Sequence, residues 1–422
     1  MKKSICSLSA LVASVALADP AVKTDSVVVE QAADRSVTVS YELENESAVV
    51  TVDFLTNGVS IGEINFTRLS GDVNRLVGVG KHSLLWVPDR EWQVELPDVA
   101  FTANVTVWKI TTPPDYMVVD LCASNTVRYY TSTNALPYGG LANDIYRSEK
   151  MVFRKCPASK VTWRMGSSTD ADEMESNNRT ANNEVPHLVT FTEDFYMAVF
   201  ELTVAQYRQF VADVDIPERS SGSKRNGENY EYAPVGLVTF DAIRGTTKKW
   251  PANLHEVDDA SFIGQIRSRS GMDSVDLPTD AQWEFACRAG VGTQTGYPGR
   301  PQLWDAYVTP KAWYKDTNNL AQGVKHKVGG LLPNGWGLYD MQGNLYEVCL
   351  DYWATGDAFS NGSAVTDPKG PATSTDGKRV VRNSCYSSAL KTTRCANRAM
   401  GWTTNSGHEL IGFRLCAEAI AK

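Results

Sequence analysis

The chain has 422 residues, 42% hydrophobic and 21% charged, with a formal net charge of -8 and a sequence pI near 5.3. Those proportions are ordinary for globular domains, and the length allows about two or three of them. The acidic balance, without a long basic patch, excludes a phosphate backbone as a natural partner, so no nucleic acid is expected.

Met1-Lys2-Lys3 leads into an apolar run from Ile5 to Ala18 that closes on Ala16-Leu17-Ala18. A charged start, an apolar centre and an A-x-A end read as a bacterial-type signal peptide over 1–18, too short for a membrane span. A secreted or periplasmic protein starting at Asp19, with no membrane span, is the expectation.

Residues 19–112 read as a β-sandwich of immunoglobulin-like type. Val37, Val39, Tyr41 and Leu43 alternate with polar residues, as do Phe101, Ala103, Val105 and Val107. Period 2 with one polar face describes a sheet covered on one side. Val50, Val52 and Phe54 run into Asn57-Gly58, a tight hairpin turn. Thr111-Thr-Pro-Pro-Asp115 reads as an extended spacer, because adjacent prolines cannot join a ladder. The stretch 113–160 is taken as linker and transitional segment.

From 161 to 422 the chain reads as a loop-rich α+β domain. Thr203 with Gln206, and Thr279 with Gln282, each match a capping box at the start of a helix. Val204, Tyr207, Phe210 and Val211 follow the first at helical spacing, and Trp283, Ala286 and Cys287 follow the second, with Gly290 as its stop. Ser167 to Asn183 is polar and acidic and reads as a surface loop.

Seven cysteines follow Asp19, an odd number without C-x-x-C spacing, which argues against zinc and thioredoxin-type chemistry. Cys122 and Cys156 either pair with each other or do not; spacing leaves that open. The five histidines are scattered without H-E-x-x-H, and no phosphate-binding G-x-x-x-x-G-K occurs. Gly58-Val-Ser60-Ile-Gly62 matches G-x-S-x-G but lies in a hairpin, away from any strand-to-helix elbow.

Several blocks resemble the formylglycine-generating-enzyme, or sulfatase-modifying-factor, family. They are Met165-Gly-Ser167, the stretch from Phe195-Tyr-Met197 through Glu201-Leu-Thr-Val-Ala-Gln-Tyr207, and Leu277-Pro-Thr-Asp-Ala-Gln-Trp-Glu-Phe-Ala-Cys-Arg-Ala-Gly290. Pro333-Asn-Gly-Trp-Gly-Leu-Tyr-Asp-Met-Gln-Gly-Asn344 with Glu347, Arg379-Val-Val-Arg382 and Gly412-Phe-Arg-Leu415 complete the set in order. The resemblance implies a C-type-lectin-related mixed fold. It also implies a disulfide between Cys287 and Cys395, and a calcium site at Asn344 and Glu347, whose oxygens suit that hard ion.

In the enzymes of that family, a cysteine pair binds copper and converts a sulfatase cysteine to formylglycine. Here the first of those positions falls on Ser388, and no cysteine lies within Ala389 to Thr393. A hydroxyl does not replace a thiolate for Cu(I), so copper is not expected. Cys385 remains as a candidate catalytic residue; Cys385 and Cys349 flank the former site and are read either as a soft-metal pair or as structural thiols. The fold also displays ligand-binding surfaces. On that reading Asn383, Cys385, Tyr386, Ser388, Asn397 and Trp402 line a cleft for an exported protein, peptide or glycan, a sulfatase being one candidate. Trp336, Tyr339 and Trp353 read as packing in the core.

Overall fold

The computed structural model describes residues 18–62, 68–88, 101–123, 127–167, 183–211, 230–291, 304–315, 324–356 and 362–418. The signal-peptide reading, apart from residue 18, and most of the polar stretch Ser167–Asn183 lie outside the described residues. Among the described residues, no helix is long and apolar enough to cross a membrane.

The chain divides into two units, Met1–Lys109 and Ile110–Lys422. The first holds two antiparallel sheets. In one, Val37–Glu44 is flanked by Gly80–Trp86 on one side and by Val28–Gln31 and Ala21–Val22 on the other, with Leu69–Gly71 beyond Gly80–Trp86. In the other, Ala48–Thr56 pairs with Phe101–Trp108, Arg75–Val77 and Val59–Ser60. The alternating residues Val37, Val39, Tyr41 and Leu43 meet Val50, Val52 and Phe54 of the second sheet in one core. Asn57 and Gly58 both take positive φ, as the tight hairpin turn requires.

The second unit begins where a linker was expected, and here the reading of 113–160 is corrected. Tyr116–Asp120, Val127–Tyr130 and Lys150–Cys156 supply three strands of a five-stranded antiparallel sheet. Phe195–Ala198 and Cys416–Glu418 complete it, with Cys416–Glu418 at the edge paired to Phe195–Ala198. Pro113 and Pro114 precede the sheet without interrupting it.

Both capping boxes form. Thr203 opens the helix Val204–Arg208, and Thr279 opens Asp280–Arg288, each with reciprocal bonds to its glutamine. The first helix stops at Arg208, shorter than its apolar spacing implies. The second ends on Ala289 in the left-handed region, one residue before Gly290. Phe262–Ser270, capped by Ser261, is a helix that the sequence reading passed over.

Helix Asp280–Arg288 packs into one of the unit's apolar cores. Trp283, Phe285, Ala286 and Cys287 pack there with Phe191, Phe195 and Met197. Cys349 and Val380 join from a four-stranded sheet, in which Arg398–Trp402, Arg379–Arg382, Tyr346–Tyr352 and Ile411–Gly412 lie in that order. Its strands run only two to seven residues. Such short ladders leave many loop carbonyls to be satisfied by side chains.

Buried arginines do much of this. Arg414 grips Glu347 through two bonds of 2.6 and 2.7 Å, and Arg394 grips Glu184 at 2.7 and 2.9 Å. Arg244 does the same with Asp276 at 2.7 and 2.8 Å. Asp280 is shared by Arg382 and Arg398, and Glu284 by Arg288 and Arg382. Burial opposes ionisation of Asp280, but its two guanidiniums outweigh burial and hold its pKa below the ordinary value. Exposed pairs such as Lys23–Glu42 are worth only ~0–1 kcal/mol. Removing one partner of a buried pair costs about 3–5 kcal/mol, because a lone charge stays behind. Arg414→Met is therefore expected to destabilise the protein by about 3–5 kcal/mol in urea denaturation; a loss below about 1 kcal/mol would show that the pair carries no such weight.

Asp351 provides a pH test. Burial, and next the Asp280 carboxylate, push it from 3.8 up to about 7. The folded chain holds a proton there that the unfolded chain has released. Its stabilising contribution is complete below 3.8 and is lost as pH rises through 7. Between about pH 4 and about pH 7, stability is expected to fall by up to about 1.4 kcal/mol per unit from this proton. Denaturation of Asp351→Asn alongside the parent measures it: the difference between their two pH slopes isolates this group.

Candidate functional site

The segment after strand Arg379–Arg382 builds the site. Asn383 takes φ 71°, turning the chain out of the sheet. The Ser388 N–H then donates to the Cys385 carbonyl at 2.9 Å, and the Cys385 N–H to Ser388 Oγ at 3.0 Å, closing a tight loop. The loop is pinned from outside, because the Tyr386 N–H donates to the Asn344 carbonyl at 2.8 Å.

This loop walls a pocket of about 460 Å³. Opposite it, Tyr346 lies beside Ile411 through the parallel pairing of their strands. Trp402, His408, Leu410 and Thr392 complete the rim with Ser387 and Ala389. The Tyr346 hydroxyl is 2.9 Å from Ser388 Oγ, which is 3.2 Å from Cys385 Sγ; Ser387 Oγ lies 3.1 Å from the same sulfur. The result is a thiol–hydroxyl–phenol chain. Burial raises the pKa of Tyr346, so the phenol stays protonated and able to donate. Trp402 and His408 meet edge to face at 5.1 Å, and His408 Nδ1 accepts the Leu410 N–H, which leaves the neutral ring's proton on Nε2.

Of the six expected cleft residues, Cys385, Ser388 and Trp402 line the pocket. The other three do not, and here the cleft reading is corrected. Asn383 is turned inward onto backbone carbonyls, Asn397 donates to the Asn383 carbonyl, and Tyr386 is buried. Tyr346, Ser387 and His408 were missed. The only sequence signal for Tyr346 was its place two residues after Asn344.

Cys349 and Cys385 are not brought together: Cys349 lies in the apolar core, where burial lifts its thiol well above the ordinary value and leaves it inert. Nor do Cys122 and Cys156 meet. The first is exposed beside Gln209, and the second is in the core. Cys287 and Cys395, in contrast, lie together in the core, with their sulfurs 2.8 Å apart.

The calcium expectation at Asn344 and Glu347 does not fit the residues. Both Glu347 oxygens accept from Arg414, and one also accepts from Trp283 Nε1 at 2.6 Å. Asn344 Oδ1 accepts the His326 N–H, and its amide donates to Glu201 at 2.7 Å. A divalent ion there would face a guanidinium and two N–H groups. Among the described residues, no group of three His, Cys, Asp or Glu is arranged to hold a metal.

A loop-rich domain with this helix, this sheet and this set of buried pairs defines a class. The chain belongs to the sulfatase-modifying factor enzyme 1-like domain family, whose model matches residues 158–419. It is 32% identical over 160 residues to a formylglycine-generating enzyme of Thermomonospora curvata, covering 34% of this chain and 50% of that protein. It is also 32% identical over 144 residues to the serine/threonine-protein kinase pkn1 of Chlamydia pneumoniae, covering 34% of this chain and 21% of the kinase. The chain thus spans half or less of these relatives. Among solved structures, Treponema denticola variable protein 1 aligns at a TM-score of 0.46 with 19% identity, over 64% of this chain and 95% of that one.

The family resemblance and the meeting of the two thiols generate one expectation. In protein matured outside the cytoplasm, Cys287 and Cys395 are linked. Mass analysis of a non-reduced digest should recover the joined peptides, and reduction should cost up to about 4.7 kcal/mol, the chain-entropy value for a loop of ~100 residues. Recovery of both as free thiols would refute the link.

Proposed function

We propose that this chain is an exported, divergent sulfatase-modifying-factor-like protein that binds a protein, peptide or glycan at the Tyr346–Cys385–Trp402 pocket and does not act as a copper-dependent oxidase. The observation that carries this reading is the content of the pocket wall. It has one thiol, Cys385, whose neighbours within hydrogen-bonding reach are the hydroxyls of Ser387 and Ser388. Soft copper needs paired sulfur, and a hydroxyl does not supply it. The remaining wall suits recognition. Tyr346 and Trp402 offer flat apolar faces, Leu410 and Ile411 an aliphatic floor, and the serines and Thr392 adaptable hydroxyls. A sugar ring or an extended peptide side chain meets those demands. The N-terminal sandwich, read as immunoglobulin-like, suits an accessory adhesion module.

A second reading keeps the chemistry of the formylglycine-generating relatives, with Cys385 as the reactive thiol. It is favoured by the identity to those enzymes and by the hydroxyl chain beside the sulfur.

One experiment separates the two. Protein from Asp19 onward is incubated with a peptide carrying the sulfatase C-x-P-x-R motif, with oxygen and copper, beside an active formylglycine-generating enzyme. The binding reading expects no conversion of cysteine to formylglycine by mass. It also expects binding of that peptide or of an arrayed glycan, weakened about tenfold or more by Tyr346→Ala or Trp402→Ala. Conversion that Cys385→Ser abolishes would overturn it in favour of the second reading. Absence of any binding would overturn it as well.

A further inference from the structure

The loop from Asp340 to Leu345 has an unusual backbone. Asp340, Gly343 and Asn344 all take positive φ, at 56°, 109° and 63°. The carbonyl oxygens of Asp340, Gly343 and Leu345 then converge on one atom, the side-chain nitrogen of Asn383, at 3.0, 2.8 and 2.9 Å. A carboxamide nitrogen carries only two protons, so three carbonyls exceed what it can satisfy at once. Several backbone carbonyls aimed at one point, beside carboxylates, make the arrangement that hard divalent cations take in proteins. The same loop carries one carboxylate with an open oxygen. Asp340 is buried; its Oδ2 accepts the Gly329 N–H at 2.7 Å, and its Oδ1 has no partner among the described residues.

Asn383 is held in this position from its other side. Its Oδ1 accepts the N–H groups of Gly343 at 2.7 Å and Ser384 at 2.8 Å, and its carbonyl accepts from Asn397 at 3.1 Å. Its φ of 71° is one that glycine adopts without strain and that asparagine tolerates better than most residues.

We propose that the Asn383 amide stands in for a divalent cation, holding the 340–345 loop by hydrogen bonds where calcium would otherwise hold it by its charge. The loop runs directly into Tyr346, so the pocket is shaped without an ion, and ligand binding there is indifferent to chelators. This inference concerns the scaffold alone and does not depend on what the pocket binds.

The test is thermal denaturation of the full chain in chelator and in excess calcium, for the parent, Asn383→Gly and Asn383→Gly with Asp340→Asn. The parent should melt at the same temperature in both. Asn383→Gly removes the amide at a φ that suits glycine; it should melt lower in chelator and recover by about 5 °C at a hundredfold excess of calcium over its Kd. The added Asp340→Asn should abolish that recovery. Two results would overturn the proposal. One is a parent stabilised by calcium in a way that Asp340→Asn alone removes. The other is an Asn383→Gly protein that gains nothing from calcium, whether it folds or not. A parent stabilised by calcium in that way overturns the proposal even if the variant is unstable.

Discussion

The C-terminal unit depends on the pairing of buried guanidiniums with buried carboxylates. Its sheets are too short to satisfy the backbone that surrounds them, and a buried carbonyl without a partner costs about as much as a lost hydrogen bond. One guanidinium carries five donors in a fixed plane, and so meets a carboxylate and several carbonyls at once. Arg244 binds Asp276 and also reaches the carbonyls of Lys248, Leu254 and Glu256. Arg414 binds Glu347 and the carbonyls of Ala198 and Tyr339. Each arginine thus does for an irregular loop what a ladder does for a strand. The arrangement is unforgiving: an apolar replacement of a whole pair can be neutral, but loss of one member leaves a bare charge in the core.

That chemistry explains what was legible in the sequence. The recognised blocks are largely these pairs. Asp280, Glu284 and Arg288 come from one block, Arg382 from another, Glu347 and Arg414 from two more. They specify how loops are tied together, so they identify the fold and are silent about the reaction. Local signals were also readable, because their physics is local: the two capping boxes, the period-2 strands and the Asn57-Gly58 turn. The stretch 113–160 was misread because its evidence is distant. Lys150–Cys156 becomes an interior strand only by pairing with Phe195–Ala198, and composition near two prolines does not reveal that.

The site was half legible for the same reason. Cys385 and Ser388 belong to the segment that the resemblance indexes, and Trp402 follows it closely. Tyr346 and His408 arrive from elsewhere. The parallel register of Tyr346 with Ile411 brings one strand's first residue and the preceding turn to a common wall. A non-local pairing of two residues leaves almost no trace in sequence. The inward asparagines were misjudged for a different reason. Polar residues in a loop read as solvent-facing, yet a loop-rich core needs amides to occupy carbonyls that no strand reaches.

Within 383–398 the two tasks are divided residue by residue. Asn383, Arg394, Cys395, Asn397 and Arg398 are buried and committed to backbone, carboxylates or core. Ser387, Ala389 and Thr392, between them, face the pocket and carry little of the framework. Cys385 and Ser388 alone serve both, closing the loop through Ser388 Oγ while presenting sulfur and hydroxyl to the cavity. A scaffold fixed by charge pairs and amides allows the pocket-facing positions to change at small cost, since surface substitutions away from such features usually lie within about 0.5 kcal/mol. The same economy ties any gain or loss of chemistry in this pocket to very few side chains.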